Sequence, residues 1–128
     1  MSRVSVCQVQ KEAALINHLA DTISCQLESC HPSTCHIEKE LCQLDSLLQT
    51  LGCNLNEVCV PNCNVSISGI ECEIQKAECL DGTLSCELSQ CPCEIDWCEV
   101  QANDACLQST TAEILCETNS LSCCGAAG

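Results

Sequence analysis

One column of this chain, read in steps of seven from Val9, never meets a charge. It runs Val9, Ile16, Ile23, Cys30, Ile37, Leu44, Leu51, Val58, Val65, Cys72, Cys79, Cys86, Cys93, Val100, Leu107, Ile114 and Leu121. A repeat this strict constrains architecture before any local feature does. The residues that accompany the column change along the chain, and the expected structure changes with them.

In the first part the companion lies four residues on. Val9, Ala13, Ile16, Ala20, Ile23 and Leu27 alternate spacings of four and three, and so do Ile37, Leu41, Leu44, Leu48, Leu51 and Leu55. This is the a/d pattern of packed helices. It predicts two helices, near 4–29 and 33–51, broken at Cys30-His31-Pro32 and stopped by Gly52. They either fold back as a hairpin or join through a kink, and the unbroken phase favours the kink. Residues 1–55 are read as a helical association region, whose apolar stripe needs a partner helix or a second copy.

From Cys63 the companions fall on alternate residues. Units such as Ile70-Glu-Cys-Glu-Ile74 and Leu84-Ser-Cys-Glu-Leu88 carry apolar residues or Cys at positions one, three and five, with two turn formers after them. Only Asp81, Ser109 and Asn119 break the rule. Alternation is the signature of a strand, and two residues make the commonest hairpin loop. The expected fold class is therefore α+β. Heptad-patterned helices precede a cysteine-rich β region over 56–128, built as a meander or a short-rung solenoid. The alternative is all-α, with helices over 92–108 and 111–121.

Cysteine dominates the chemistry, at 18 of 128 residues, with one Trp and no Phe or Tyr. That density marks a disulfide scaffold or a metal-thiolate protein. In the strand frame Cys72, Cys79, Cys86 and Cys93 form a ladder about 4.8 Å per step, close enough for disulfides or bridging metal. Cys63, Cys91, Cys98, Cys116 and Cys123 share the inward face. Cys59, Cys106 and Cys124 fall outside it and suit bonds between molecules. Cys30, His31, Cys35 and His36 cluster at the helix break and make a weak candidate for a metal site, since neighbouring ligands rarely meet one ion. Cys91-Pro-Cys93 lacks the two-residue gap of thiol oxidoreductases.

The net charge is −14, with four basic residues against eighteen acidic ones. Phosphate-mediated binding to nucleic acid is not expected on that balance. A membrane span is not expected. Glu71, Glu73, Glu78, Glu87, Glu94 and Glu99 would line the solvent face of the sheet, where Ca²⁺ or another divalent cation is a possible partner. No hydrolase or nucleotide motif is present, so no enzyme is expected and no cofactor beyond thiolate-bound metal. Two functions remain. One is a self-assembling, disulfide-cross-linked structural protein of a surface layer, coat or filament. The other is a thiolate protein storing or buffering Cu(I) or Zn. The first implies an extracellular, cell-surface or spore-surface site, and the second a cytoplasmic one. The start of the chain has no apolar stretch of signal type.

Overall fold

A computed structural model describes residues 5–29, 33–57 and 67–125. The described residues form four α-helices and no strand. They are α1 (Val6–Leu27), α2 (Thr34–Glu57), α3 (Ile67–Leu88) and α4 (Trp97–Gly125), with a short 3₁₀ turn at Pro92–Glu94. α1 packs against α2 and α4, and α3 packs against the same two. Each helix therefore touches the helices next to it around a four-helix bundle.

Polar contacts fix the directions. Asn54, near the end of α2, donates to Glu12 near the start of α1 at 2.7 Å, and Gln26 donates to Glu40 at 2.6 Å. These pairs make α1 and α2 an antiparallel hairpin, so the continuous kinked helix is corrected. Gln108 of α4 donates to Asp21 of α1, and Gln10 reaches the Thr118 carbonyl, so α4 also runs against α1. Asn103 donates to Glu87 across α3 and α4.

Local sequence explains the helix ends that are described. The Ser5 hydroxyl accepts from the Gln8 amide at 3.1 Å and caps α1. Ser33 accepts from the His36 amide, and Asp96 from the Glu99 amide, at the starts of α2 and α4. Each supplies an acceptor to an amide without an intrahelical partner. Gly52 does not stop α2, which continues to Glu57.

The core is a single cluster drawn from all four helices. α1 contributes Val9, Ala13, Ile16, Ile23 and Leu27, and α2 contributes Ile37, Leu41, Leu44, Leu48, Leu51 and Leu55. From α3 come Ile70, Ile74, Ala77, Leu84 and Leu88, and from α4 Val100, Leu107 and Ile114. With inward positions labelled a and d, every helix keeps the four-three spacing. The apolar stripe of α1 and α2 is thus covered within the chain.

The β region over 56–128 is overturned by α3 and α4. The cause lies in how cysteine was counted. Treating Cys72, Cys79 and Cys86 as inward creates an alternation of period two. Removing them leaves Ile70, Ile74, Ala77, Leu84 and Leu88, which is a helical stripe. The seven-residue column leaves the core at α3 and returns to it at Val100. The connection between α2 and α3 shifts the phase, and the connection between α3 and α4 restores it. On α4 the second inward column is Asp104, Thr111 and Thr118, all buried. Those polar residues hid the helical period.

If burial of these stripes holds the bundle, Leu48→Ala costs about 2–5 kcal/mol. Cys79→Ser, on the outside, changes stability by less than about 0.5 kcal/mol. Urea unfolding in the presence of reductant measures both. Equal losses in the two variants would contradict a core built without cysteine.

Candidate functional site

The thiols occupy the outside of the bundle. Thirteen cysteines whose surroundings are described are exposed and unbonded: Cys7, Cys25, Cys35, Cys42, Cys53, Cys72, Cys79, Cys86, Cys91, Cys93, Cys98, Cys106 and Cys116. Those within the four helices fall at heptad positions b, c or f, furthest from the core. Free cysteine ordinarily behaves as a small buried hydrophobe. Here none of these thirteen does so.

The expected ladder is therefore corrected. Cys72, Cys79 and Cys86 do line up, but along the outer ridge of α3. Successive members lie about 10.5 Å apart along the helix, beyond disulfide reach. Cys93 sits apart from them, exposed in the 3₁₀ turn. The inward placement of Cys91, Cys98 and Cys116 is likewise corrected, since all three are exposed. Cys106 is exposed as expected. Cys123 and Cys124 lie in the last turn of α4. Cys30, His31, Cys59 and Cys63 lie outside the described residues. Cys35 and His36 are adjacent and exposed, and His36 faces Glu40 at 3.7 Å. Among the described residues no group of three or more His, Cys, Asp or Glu is placed to hold a metal ion.

Antiparallel packing distributes the thiols in a definite way. Cys25, Cys35, Cys86 and Cys98 lie near one end of the bundle, one from each helix. Cys7, Cys53, Cys72 and Cys116 lie toward the other end, again one from each helix. Every side of the bundle presents sulfur.

The carboxylates do not form the single acidic face expected of a sheet. On α3, Glu71, Glu73, Glu78 and Glu87 sit half-buried beside the core, in the grooves toward the neighbouring helices. Glu94 and Glu99 are exposed at the turn and the start of α4. Two aspartates go further, into the core itself. Asp81 occupies an inward position of α3 and Asp104 one of α4, each 5% exposed. One oxygen of each has no hydrogen-bond partner. Burial, then the charges of Asp45 and Glu78, push Asp81 up to about 7. Burial also raises Asp104, with Glu28 and Asp21 adding to the effect and a Ser24 hydrogen bond opposing it. The buried threonines are satisfied differently. Thr111 donates to the Gln108 carbonyl and Thr118 to the Ile114 carbonyl. That back-bonding lets a hydroxyl sit inside a helical core.

Some of this was available to sequence reasoning and was missed. Asp96-x-x-Glu99 is a capping-box spacing that announces α4. Asp104 stands four residues after Val100, where the heptad puts an inward residue. No sequence signal distinguishes an outward cysteine from an inward one when both fit a period.

No protein-family model, curated protein or solved structure matches this chain.

Asp81 makes stability depend on pH. Its folded pKa lies above the unfolded value, so the folded state binds the extra proton. Stability is greatest below about pH 4 on this account and falls as pH rises toward and through 7. Asp81→Leu removes the buried charge and completes the stripe. It should stabilise the bundle by about 1–3 kcal/mol at pH 8 and by much less at pH 5. Urea titrations of both proteins at the two pH values measure the difference. A gain that does not change with pH would rule Asp81 out as the titrating group.

Proposed function

We propose that this chain is a self-associating structural protein whose external thiols bond copies to one another, in a layer, coat or filament, and that it is not an enzyme. The observation that carries this reading is the segregation of sulfur from the core. A bundle whose interior is filled by Leu, Ile, Val and Ala has no need of cysteine for stability. Thirteen exposed thiols, presented by all four helices and the turn before α4, have no partner within the described part of the same copy.

Position supports bonding between copies rather than within one. The α3 thiols are too far apart to reach each other, and the remaining helices display theirs on diverging outer faces. Exposed thiols are open to exchange with other disulfides, whereas buried ones are shielded. The distribution over both ends and all sides suits a molecule joined laterally to several neighbours. A thiolate store for Cu(I) or Zn is the competing function. It would have to build its clusters between copies or with residues outside those described, because no such cluster is formed among the described ones.

Equilibration in a glutathione redox buffer tests the reading. Non-reducing electrophoresis and sedimentation should show covalent oligomers that return to monomer with strong reductant. Circular dichroism should show the same helix content before and after reduction, because the core formed by the described residues holds no sulfur. A protein that stays monomeric with free thiols and retains stoichiometric metal would replace this reading with metal storage.

A further inference from the structure

Two inward positions of the core carry carboxylates, and together they bracket one piece of the chain. Asp81 stands between Ala77 and Leu84 in the stripe of α3, and Asp104 between Val100 and Leu107 in that of α4. Both are 5% exposed, and one oxygen of each is buried with no hydrogen-bond partner. α3 and α4 run antiparallel, because Asn103 meets Glu87 while Glu117 feels the charge of Glu73. In that register Asp104 lies level with Cys86, about 7.5 Å along the axis from Asp81. The segment beyond the two aspartates, 82–103, is the tip of the α3–α4 hairpin and includes the 3₁₀ turn at Pro92–Glu94.

A short apolar contact holds this tip. Its buried apolar residues are Leu84, Leu88, Ile95 and Val100, and Trp97 packs beside them half-buried. Charge opposes the contact. The tip carries Glu87, Glu94, Asp96 and Glu99, and no Lys, Arg or His occurs anywhere from 77 to 128. Glu99 is raised chiefly by the charge of Glu87, so the carboxylates of the tip crowd one another.

The charges that face the two aspartates have the same sign as their own. Asp81 faces Asp45 of α2 and Glu78 of its own helix. Asp104 faces Asp21 and Glu28 of α1, and a hydrogen bond with Ser24 of that helix is its relief. No basic side chain is buried with either one among the described residues. Lys11, His18 and Lys39 are exposed on α1 and α2, and exposed His36 stands against Glu40. Lys76, the basic residue of α3, is exposed and stands 3.7 Å from Glu73. Protonated, the two aspartates are neutral members of the core. Ionised, they place an unmatched charge at each root of the tip, where burial of a charge is most costly.

We infer that the α3–α4 tip is a pH-sensitive latch, seated on the ends of α1 and α2 while Asp81 and Asp104 carry protons and released when they ionise. Release brings both carboxylates to water and uncovers Leu27, Ile37 and Leu41 at that end of α1 and α2. The other half of the bundle keeps its stripe of Ile70, Ile74 and Ala77 against Leu107 and Ile114, so the opening is local rather than global. Asp81 is raised from 3.8 to about 7, so the seated tip is favoured most below about pH 4 and loses that advantage as pH rises through 7. The latch uses no sulfur, and it stands or falls apart from the proposed bonds between copies.

Hydrogen exchange of the full chain in reductant, read by mass spectrometry at pH 5 and pH 8, tests the latch. Rates are divided by the chemical exchange rate of the unfolded chain at each pH. Protection over 84–100 should then fall by about a hundredfold between the two pH values, the change that Asp81 alone supplies. At pH 8 this segment should be at least about tenfold less protected than 70–77 of α3 and 44–51 of α2, since it opens by itself. Asp81→Thr with Asp104→Thr should cut the pH-dependent fall to under about threefold. Threonine already occupies the inward column of α4 at Thr111 and Thr118, bonded back to its own helix. Where that pair loses helix by circular dichroism, Asp81→Asn with Asp104→Asn removes the same two charges and carries the decision. Tip protection that ignores pH would overturn the latch. So would protection that is equal in the tip and in the other two segments, which means that the bundle opens only as a whole. A pH response that persists in the neutral variants would overturn it as well and move its cause to the surface carboxylates.

Discussion

Burial of the paired inward columns is the interaction on which the rest of the structure depends. α2 lines its column with six large aliphatic residues, Ile37 through Leu55. α1 alternates large and small, with Ala13 and Ala20 between Val9, Ile16 and Ile23. Leucine on one helix can fill the space left by alanine on another, which lets layers interdigitate without aromatic side chains. A core made this way is complete without sulfur. Cysteine is therefore released from structural duty, and its position becomes free to follow another requirement.

The two halves of the bundle are not equally apolar. Nothing charged is buried on α1 or α2, whereas α3 and α4 each carry one aspartate at an inward position. An ionised carboxylate without a cation inside a helical core opposes folding, and protonation relieves it. Acid therefore tightens the α3–α4 side. It also reduces the charge on the surface, where Glu78 and Glu117 are raised mainly by burial and then by neighbouring carboxylates. The same protons that complete the core lower the repulsion any two copies would feel, so folding and the proposed association share one pH trend.

The N-terminal half was legible because its chemistry and its geometry agree. Leu, Ile, Val and Ala follow the four-three spacing from Val9 to Leu55, and α1 and α2 form where that spacing puts them. The C-terminal half was misread at particular residues. Cys72, Cys79 and Cys86 fit an apolar column and were taken as inward. Asp81, Asp104, Thr111 and Thr118 fit no apolar column and are inward. Cysteine has both an apolar and a reactive character, and pattern alone does not say which one a position uses. The hairpin ranked below the kink because α1 and α2 share a phase. An unbroken phase is compatible with a straight continuation, and only the Asn54–Glu12 and Gln26–Glu40 contacts distinguish the two.

A molecule this acidic resists meeting itself, yet its charges are arranged so that contact costs less than approach. The α3 carboxylates are set back from the outer ridge, in grooves beside the core. The Debye length at physiological salt is about 8 Å, so copies at a distance feel the whole charge weakly and copies in contact feel chiefly what lies at the contact. At the outer face of α3 the exposed residues include no carboxylate and one lysine, Lys76, which stands 3.7 Å from Glu73. Net charge therefore slows any encounter between copies, while a contact made at that face would not be strongly opposed. A slow encounter followed by a weak contact gives little lasting association by itself. A covalent bond changes this, because the bonded pair then separates by exchange chemistry rather than by diffusion. In the proposed assembly, exposed sulfur is in this sense the complement of an acidic surface. On the proposed reading, the charge keeps copies apart and the thiols hold those that have met.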